Sequence, residues 1–150
     1  MPIASESAAA TRALGRRLGA AARAGDVILI EGPLGAGKTV LVQGLAEGLG
    51  ATDIPTSPTF VLVRHHRGRL ELVHADLYRL ESREEIDALD LLELAEAGVL
   101  AVEWAERAPW LDGGSAARLR VESTGPEERT IEVVHAPDHL AAALGGGPPG

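Results

Sequence analysis

The sequence predicts an α/β fold, and three observations predict it. Two runs, Val27-Ile28-Leu29-Ile30 and Val99-Leu100-Ala101-Val102, are apolar at every position. A strand covered on both faces reads this way, as in the middle of a parallel sheet with helices above and below. Helical patterns lie before and after the first run, and a glycine-rich turn joins that run to the second helix. Two later segments alternate polar and apolar residues as an antiparallel hairpin does, so the central sheet is expected to be mixed.

In chain order, Ser5 to Ala24 is rich in alanine and arginine, with Leu14, Leu18 and Ala21 on one helical face, and Gly25 closes it. After the first strand and its turn, Val40, Leu41, Leu45 and Leu49 mark a helix ended by Gly48 and Gly50. Ala51 to Thr59 carries Pro55 and Pro58 among the hydroxyls of Thr52, Thr56, Ser57 and Thr59, a composition that excludes a helix and predicts an ordered loop. Phe60 to His66 and Arg69 to Ala75 read as two strands around Arg67-Gly68. Ser82 and Glu85 form a capping box that opens a helix, with Ile86, Leu89, Leu92 and Ala95 on its buried side and Gly98 as its stop. Arg118 to Ser123 and Thr130 to His135 form the alternating hairpin, and Asp138 to Leu144 a short last helix. Residues 1–144 are expected to make a single domain, and Gly145 to Gly150, all glycine and proline, a disordered tail.

Composition bounds the function. The 150 residues carry a formal net charge of -8, which argues against a chain that grips nucleic acid through a basic face. Arg64-His65-His66-Arg67-Gly68-Arg69 is the single basic run, and it reads as a solvated hairpin tip. Cysteine is absent, which removes disulfides and thiolate metal sites. The N-terminus has no secretory pattern and no apolar run approaches membrane-spanning length, so a cytoplasmic location is expected. The five histidines show no metal-binding spacing and read as structural or solvated.

The glycine-rich turn carries the chemistry. Gly32-Pro33-Leu34-Gly35-Ala36-Gly37-Lys38-Thr39 is the phosphate-binding P-loop pattern: Gly, four residues, Gly, Lys, then Ser or Thr. Backbone N–H groups can crowd a phosphate only where side chains are absent, and the following helix adds partial positive charge at its N-terminus. Lys38 is the sole lysine among fourteen basic residues, and a slim ammonium suits a phosphate cradle better than a planar guanidinium. Thr39 is placed to hold Mg²⁺ through its hydroxyl. Glu103, at the C-terminal end of the second apolar strand, has the position of a Walker B acid and is the second expected Mg²⁺ ligand. Asp76, at another strand end, is the best remaining carboxylate to orient or activate water, with Tyr78 and Arg79 beside it. Ser57 and Thr59 are candidates to sense the γ-phosphate. The fold expected is thus a P-loop NTPase-like three-layer sandwich. The chain has no asparagine, hence no Asn-Lys-x-Asp guanine reader, which favours ATP/ADP as the nucleotide.

Leu34-Gly35-Ala36-Gly37-Lys38-Thr39, Thr56-Ser57-Pro58-Thr59-Phe60, His74-Ala75-Asp76-Leu77-Tyr78-Arg79 and Val102-Glu103-Trp104, in this order and spacing, closely resemble the TsaE (YjeE) family. The resemblance covers nearly the whole chain. It implies a small bacterial ATPase that acts with TsaB and TsaD in forming N6-threonylcarbamoyladenosine, reaching tRNA indirectly through that complex. It also implies that Lys38 and Thr39 bind ATP and Mg²⁺, that Ser57 to Phe60 act as a switch loop, and that Asp76 and Glu103 are needed for hydrolysis. Val40 stands where some members carry another hydroxyl. A small-molecule kinase, or a nucleotide-dependent binding switch with negligible turnover, would use the same P-loop and remain alternatives.

Overall fold

The computed structural model describes residues 2–33, 36–53 and 62–145. Leu34 and Gly35 of the P-loop, the hydroxyl-rich loop with Ser57 and Thr59, and the tail beyond Gly145 lie outside the described residues. The described chain folds as a mixed seven-stranded sheet with helices, in the order β1-β7-β6-β2-β5-β4-β3. Its strands are β1 (Pro2–Ser5), β2 (Val27–Glu31), β3 (Val63–His66), β4 (Leu72–Asp76), β5 (Val99–Glu103), β6 (Ala117–Ser123) and β7 (Arg129–His135). The central strands β6, β2, β5 and β4 are parallel, and antiparallel strands extend both edges.

Side-chain alternation splits the core in two. Ile28, Ile30, Leu72, Val99 and Ala101 meet Leu14, Leu18, Leu41, Leu45 and Leu49 of α1 (Ala8–Ala21) and α2 (Lys38–Gly48), with α5 (Asp138–Leu144) beside them. Leu29, Val73, Ala75, Leu100 and Val102 face the other way, against Ile86, Leu91, Ala95 and the two 3-10 turns Ala105–Arg107 and Pro109–Leu111. The same period of two places His74, Asp76 and Glu103 on the α2 side of the sheet.

Helix α2 is fixed by an unusually close contact with α1. Gly15 and Gly19 on α1 face Gly44 and Gly48 on α2, and a Cβ at any of the four would run into a backbone carbonyl of the other helix: Leu41, Leu45, Arg12 and Arg16 respectively. Arg12 closes the contact with an ion pair to Glu47. Arg69, from the basic hairpin, donates to the C-terminal carbonyls of α1, to Gly19 at 2.6 Å and Ala22 at 3.0 Å, where the helix dipole favours a cation. That arginine therefore braces the fold and is not part of a solvated tip.

Three expectations need correction. The first helix starts at Ala8, capped by Ser7, because residues 2–5 pair with β7 as an edge strand too short to leave a periodic signal. The helix expected from Ser82 keeps its capping box but is broken into α3 (Arg83–Asp87) and α4 (Leu91–Leu94) by Asp90, which turns left-handed at φ 51°. That turn rotates the second piece, so Leu91 is buried and Leu92 is exposed. Asp is one of the few residues that tolerates this conformation.

The glycine contact predicts that Gly44→Ala lowers stability by about 1–3 kcal/mol through overpacking, although alanine is the better helix former by ~1 kcal/mol. Urea unfolding checks it by the shift in midpoint.

Candidate nucleotide and metal site

The site sits where β2, β4 and β5 end beneath the N-terminus of α2. Glycine is required on both sides of the turn. Gly32 has φ 147° and an added Cβ would strike the Val121 carbonyl, while Gly37, at φ 98°, leads directly into α2. Its N-cap is Gly37, which has no side chain to cap the first turn, and the N–H groups of a first helical turn are natural donors to an anion.

Lys38 is almost fully buried. Its Nζ donates to the carbonyls of Gly32 and, at 3.0 Å, Pro33, and it lies 3.9 Å from the centre of the Trp104 ring. Burial pushes the Lys38 ammonium below its ordinary pKa, and the negative charges of Glu106, Glu103 and Asp76 push back. Trp104 makes this contact because its own backbone is left-handed, at φ 59°, which ends β5 abruptly and turns the ring back over the loop. Tyr78 packs on Trp104 with ring centres 4.9 Å apart, and the Arg107 guanidinium lies 5.9 Å from the Trp104 ring. Glu106, in the 3-10 turn that follows, accepts the Gly32 N–H at 3.3 Å. The loop thus already takes a carboxylate at one of its donors.

Beneath Lys38, the Thr39 hydroxyl donates to Glu103, 2.9 Å from Oε1 and 3.2 Å from Oε2. His74 Nε2 lies 2.6 Å from Glu103 Oε2, and both side chains are buried. Asp76 is in direct register with Glu103 on the neighbouring strand, and its Oδ1 accepts the Tyr78 N–H at 2.9 Å. Burial raises the Asp76 pKa, with the nearby Glu103 charge adding to the rise and the Tyr78 N–H opposing it.

The residues fit Mg²⁺. The donors are the Thr39 hydroxyl and the Glu103 carboxylate, both hard oxygen, with Asp76 beside them on the same face of the sheet, and the repulsion between the two carboxylates is relieved by a cation. Among the described residues, no group of three or more acidic, His or Cys side chains could hold a metal alone. Mg²⁺ characteristically completes its shell with water and phosphate oxygens.

The structure therefore brings together Gly32, Pro33, Ala36, Gly37, Lys38, Thr39, Asp76 and Glu103. Leu34, Gly35, Ser57 and Thr59 fall outside the described residues, and Arg79 is exposed. Sequence reasoning passed over His74 and Glu106. His74 could have been found from its place two residues before Asp76, which puts it on the same strand face; Glu106 had no signal, since a 3-10 turn brings it back to the loop. The acid at the end of β2, Glu31, points to the opposite face and pairs with Arg118 and Arg120.

The chain is similar to several known proteins. The family model described as Threonylcarbamoyl adenosine biosynthesis protein TsaE matches residues 5–131. A Streptomyces coelicolor protein named tRNA threonylcarbamoyladenosine biosynthesis protein TsaE is 41% identical over 140 residues, covering 88% of this chain and 95% of the relative. A Nostoc protein of the same name is 50% identical over 103 residues, 65% of this chain, and the match spans 63% of that relative's length. The crystal structure of Bacillus subtilis YdiB superposes with a TM-score of 0.73 at 30% identity, covering 97% of this chain and 93% of that one.

The raised Asp76 pKa predicts a sign. Its folded form prefers the proton, so its contribution to stability is fully present below the ordinary aspartate range and is lost as pH rises through the raised pKa. Asp76→Asn, which keeps an acceptor for the Tyr78 N–H, should therefore resist urea better than the parent at neutral pH, with the gap closing as pH falls below that range. Urea midpoints across pH check it.

Proposed function

This chain belongs to the TsaE family, and from that footing we propose that it is a Mg²⁺-dependent P-loop ATPase supporting the formation of threonylcarbamoyladenosine in tRNA. The observation that carries the reading is the Thr39 hydroxyl on the Glu103 carboxylate directly below Lys38 and the open N-terminus of α2. A nucleoside triphosphate needs a cradle of N–H donors, a cation for its β- and γ-oxygens, and a placed nucleophile; these residues supply the first and can hold the second.

In this reading the α2 N–H groups and Lys38 bind the phosphates, with Lys38 exchanging the Gly32 and Pro33 carbonyls for phosphate oxygens. Thr39 and Glu103 would hold Mg²⁺, which would supply positive charge against the phosphates. Asp76 accepts a hydrogen bond from the attacking water. Its raised pKa brings it closer to the operating pH, where a carboxylate serves better as a base. Trp104, Tyr78 and Arg107 wall the site. No described helix is long and apolar enough to cross a membrane, and the net charge of -8 suits a subunit that reaches tRNA through TsaB and TsaD and does not grip it itself.

Phosphate release from ATP, measured for the chain alone and with TsaB and TsaD from the same source, tests the assignment. Marked stimulation by the pair is expected; absence of stimulation with nucleotide binding intact would overturn the pathway role. Lys38→Ala should abolish nucleotide binding, and Glu103→Ala should remove only its Mg²⁺-dependent part. Titrations in Mg²⁺ and in EDTA check both, and parent-like affinity in Lys38→Ala would refute the phosphate site.

A further inference from the structure

We propose that His74 is a positioning residue that acts through Glu103 to set the site's response to Mg²⁺; the proposal rests on the nucleotide-site reading given above. A carboxyl group at a strand end can rotate about its side-chain bonds, and each rotation presents different oxygens to a cation. Here the rotation is fixed from two sides. His74 Nε2 holds Oε2 at 2.6 Å, and the Thr39 hydroxyl meets Oε1 at 2.9 Å. Since an ionised carboxylate only accepts hydrogen bonds, the Nε2 nitrogen carries the proton.

The rest of the ring's surroundings argue against a role as core filler. His74 is fully buried, and its Nδ1 has no hydrogen-bond partner among the described residues. A buried polar nitrogen without a partner is unfavourable, so an apolar side chain would fill this space at lower cost. The contact with Glu103 is the one hydrogen bond that the described structure gives the imidazole. Behind it stands His66, with ring centres 6.4 Å apart, itself held through Nδ1 by Asp53 at 2.8 Å. Asp53 lies in the hydroxyl-rich segment Ala51 to Thr59 and is its last described residue. A group that orients a metal-binding carboxylate in this way characteristically changes metal affinity by about 10–100-fold when removed.

The test compares His74→Leu, which fills the space without a donor, with His74→Gln, whose amide nitrogen reaches the position of Nε2. ATP binding is titrated calorimetrically in EDTA and over a Mg²⁺ series, with no turnover required. Affinity in EDTA should match the parent in both. The Mg²⁺ concentration for half-maximal enhancement should rise about 10-fold or more in His74→Leu. In His74→Gln it should stay within about 3-fold of the parent, because the donor is restored. In a Glu103→Gln background, His74→Leu should add nothing. A parent-like Mg²⁺ response in His74→Leu, or equal losses with and without Mg²⁺, would overturn the proposal. Should His74→Leu not fold, His74→Asn takes its place, since its amide stops short of Glu103; identical responses in Asn and Gln would then overturn it. A parent whose nucleotide binding ignores Mg²⁺ would overturn this proposal together with the site reading, whereas a parent-like response in the variant overturns this one alone.

Discussion

Glu103 brings a carboxylate to the end of the central strand β5 with almost no access to water, and the neighbouring elements are arranged to satisfy it. Thr39 reaches it from the first turn of α2, and His74 reaches it from β4. A buried carboxylate without such partners would carry a large desolvation penalty. The hydrogen bonds therefore tie α2 and two strands to one point. Because β4 and β5 pair in register through Asp76 and Glu103, the second carboxylate is carried to the same place by the sheet itself.

The helix that begins at Lys38 can serve as a fixed platform because its other end is locked. Four glycines let α1 and α2 approach until backbone meets backbone, and side chains at those positions would push the helices apart. The position of Lys38 relative to β5 thus follows from packing that involves Gly44 and Gly48, further along the same helix. On the opposite rim, Trp104 interrupts β5 with a left-handed backbone, an uncommon conformation for a bulky residue, and the interruption is what lets its ring cover the ammonium.

Much of this was legible in the residues. The two unbroken apolar runs gave the parallel centre of the sheet, the glycine pattern gave the loop, and the capping box at Ser82 and Glu85 is present as expected. The residues read as site members from strand ends do converge, since a strand's period of two is a strong rule. What was hidden depends on events with no periodic signature. Four residues of edge strand at Pro2–Ser5 are defined only by pairing with β7, some 125 residues later in sequence. Asp90 looks like any helix-surface acid until its backbone turns left-handed. The glycines of α1 and α2 read as weak helix formers, while their purpose is visible only when the two helices are brought together. The histidines read as structural or solvated because metal spacing is visible only within the sequence, whereas the partner of His74 lies on the neighbouring strand.

The most direct test of the central claim is a crystal structure of the chain with Mg²⁺ and a non-hydrolysable ATP analogue. The account predicts Lys38 Nζ moved from the Gly32 and Pro33 carbonyls onto phosphate oxygens, with Thr39 and Glu103 around the cation and His74 still on Oε2 of Glu103. A nucleotide bound elsewhere, or one seated in the loop with the Thr39–Glu103 hydrogen bond intact and the cation held by other residues, would contradict it.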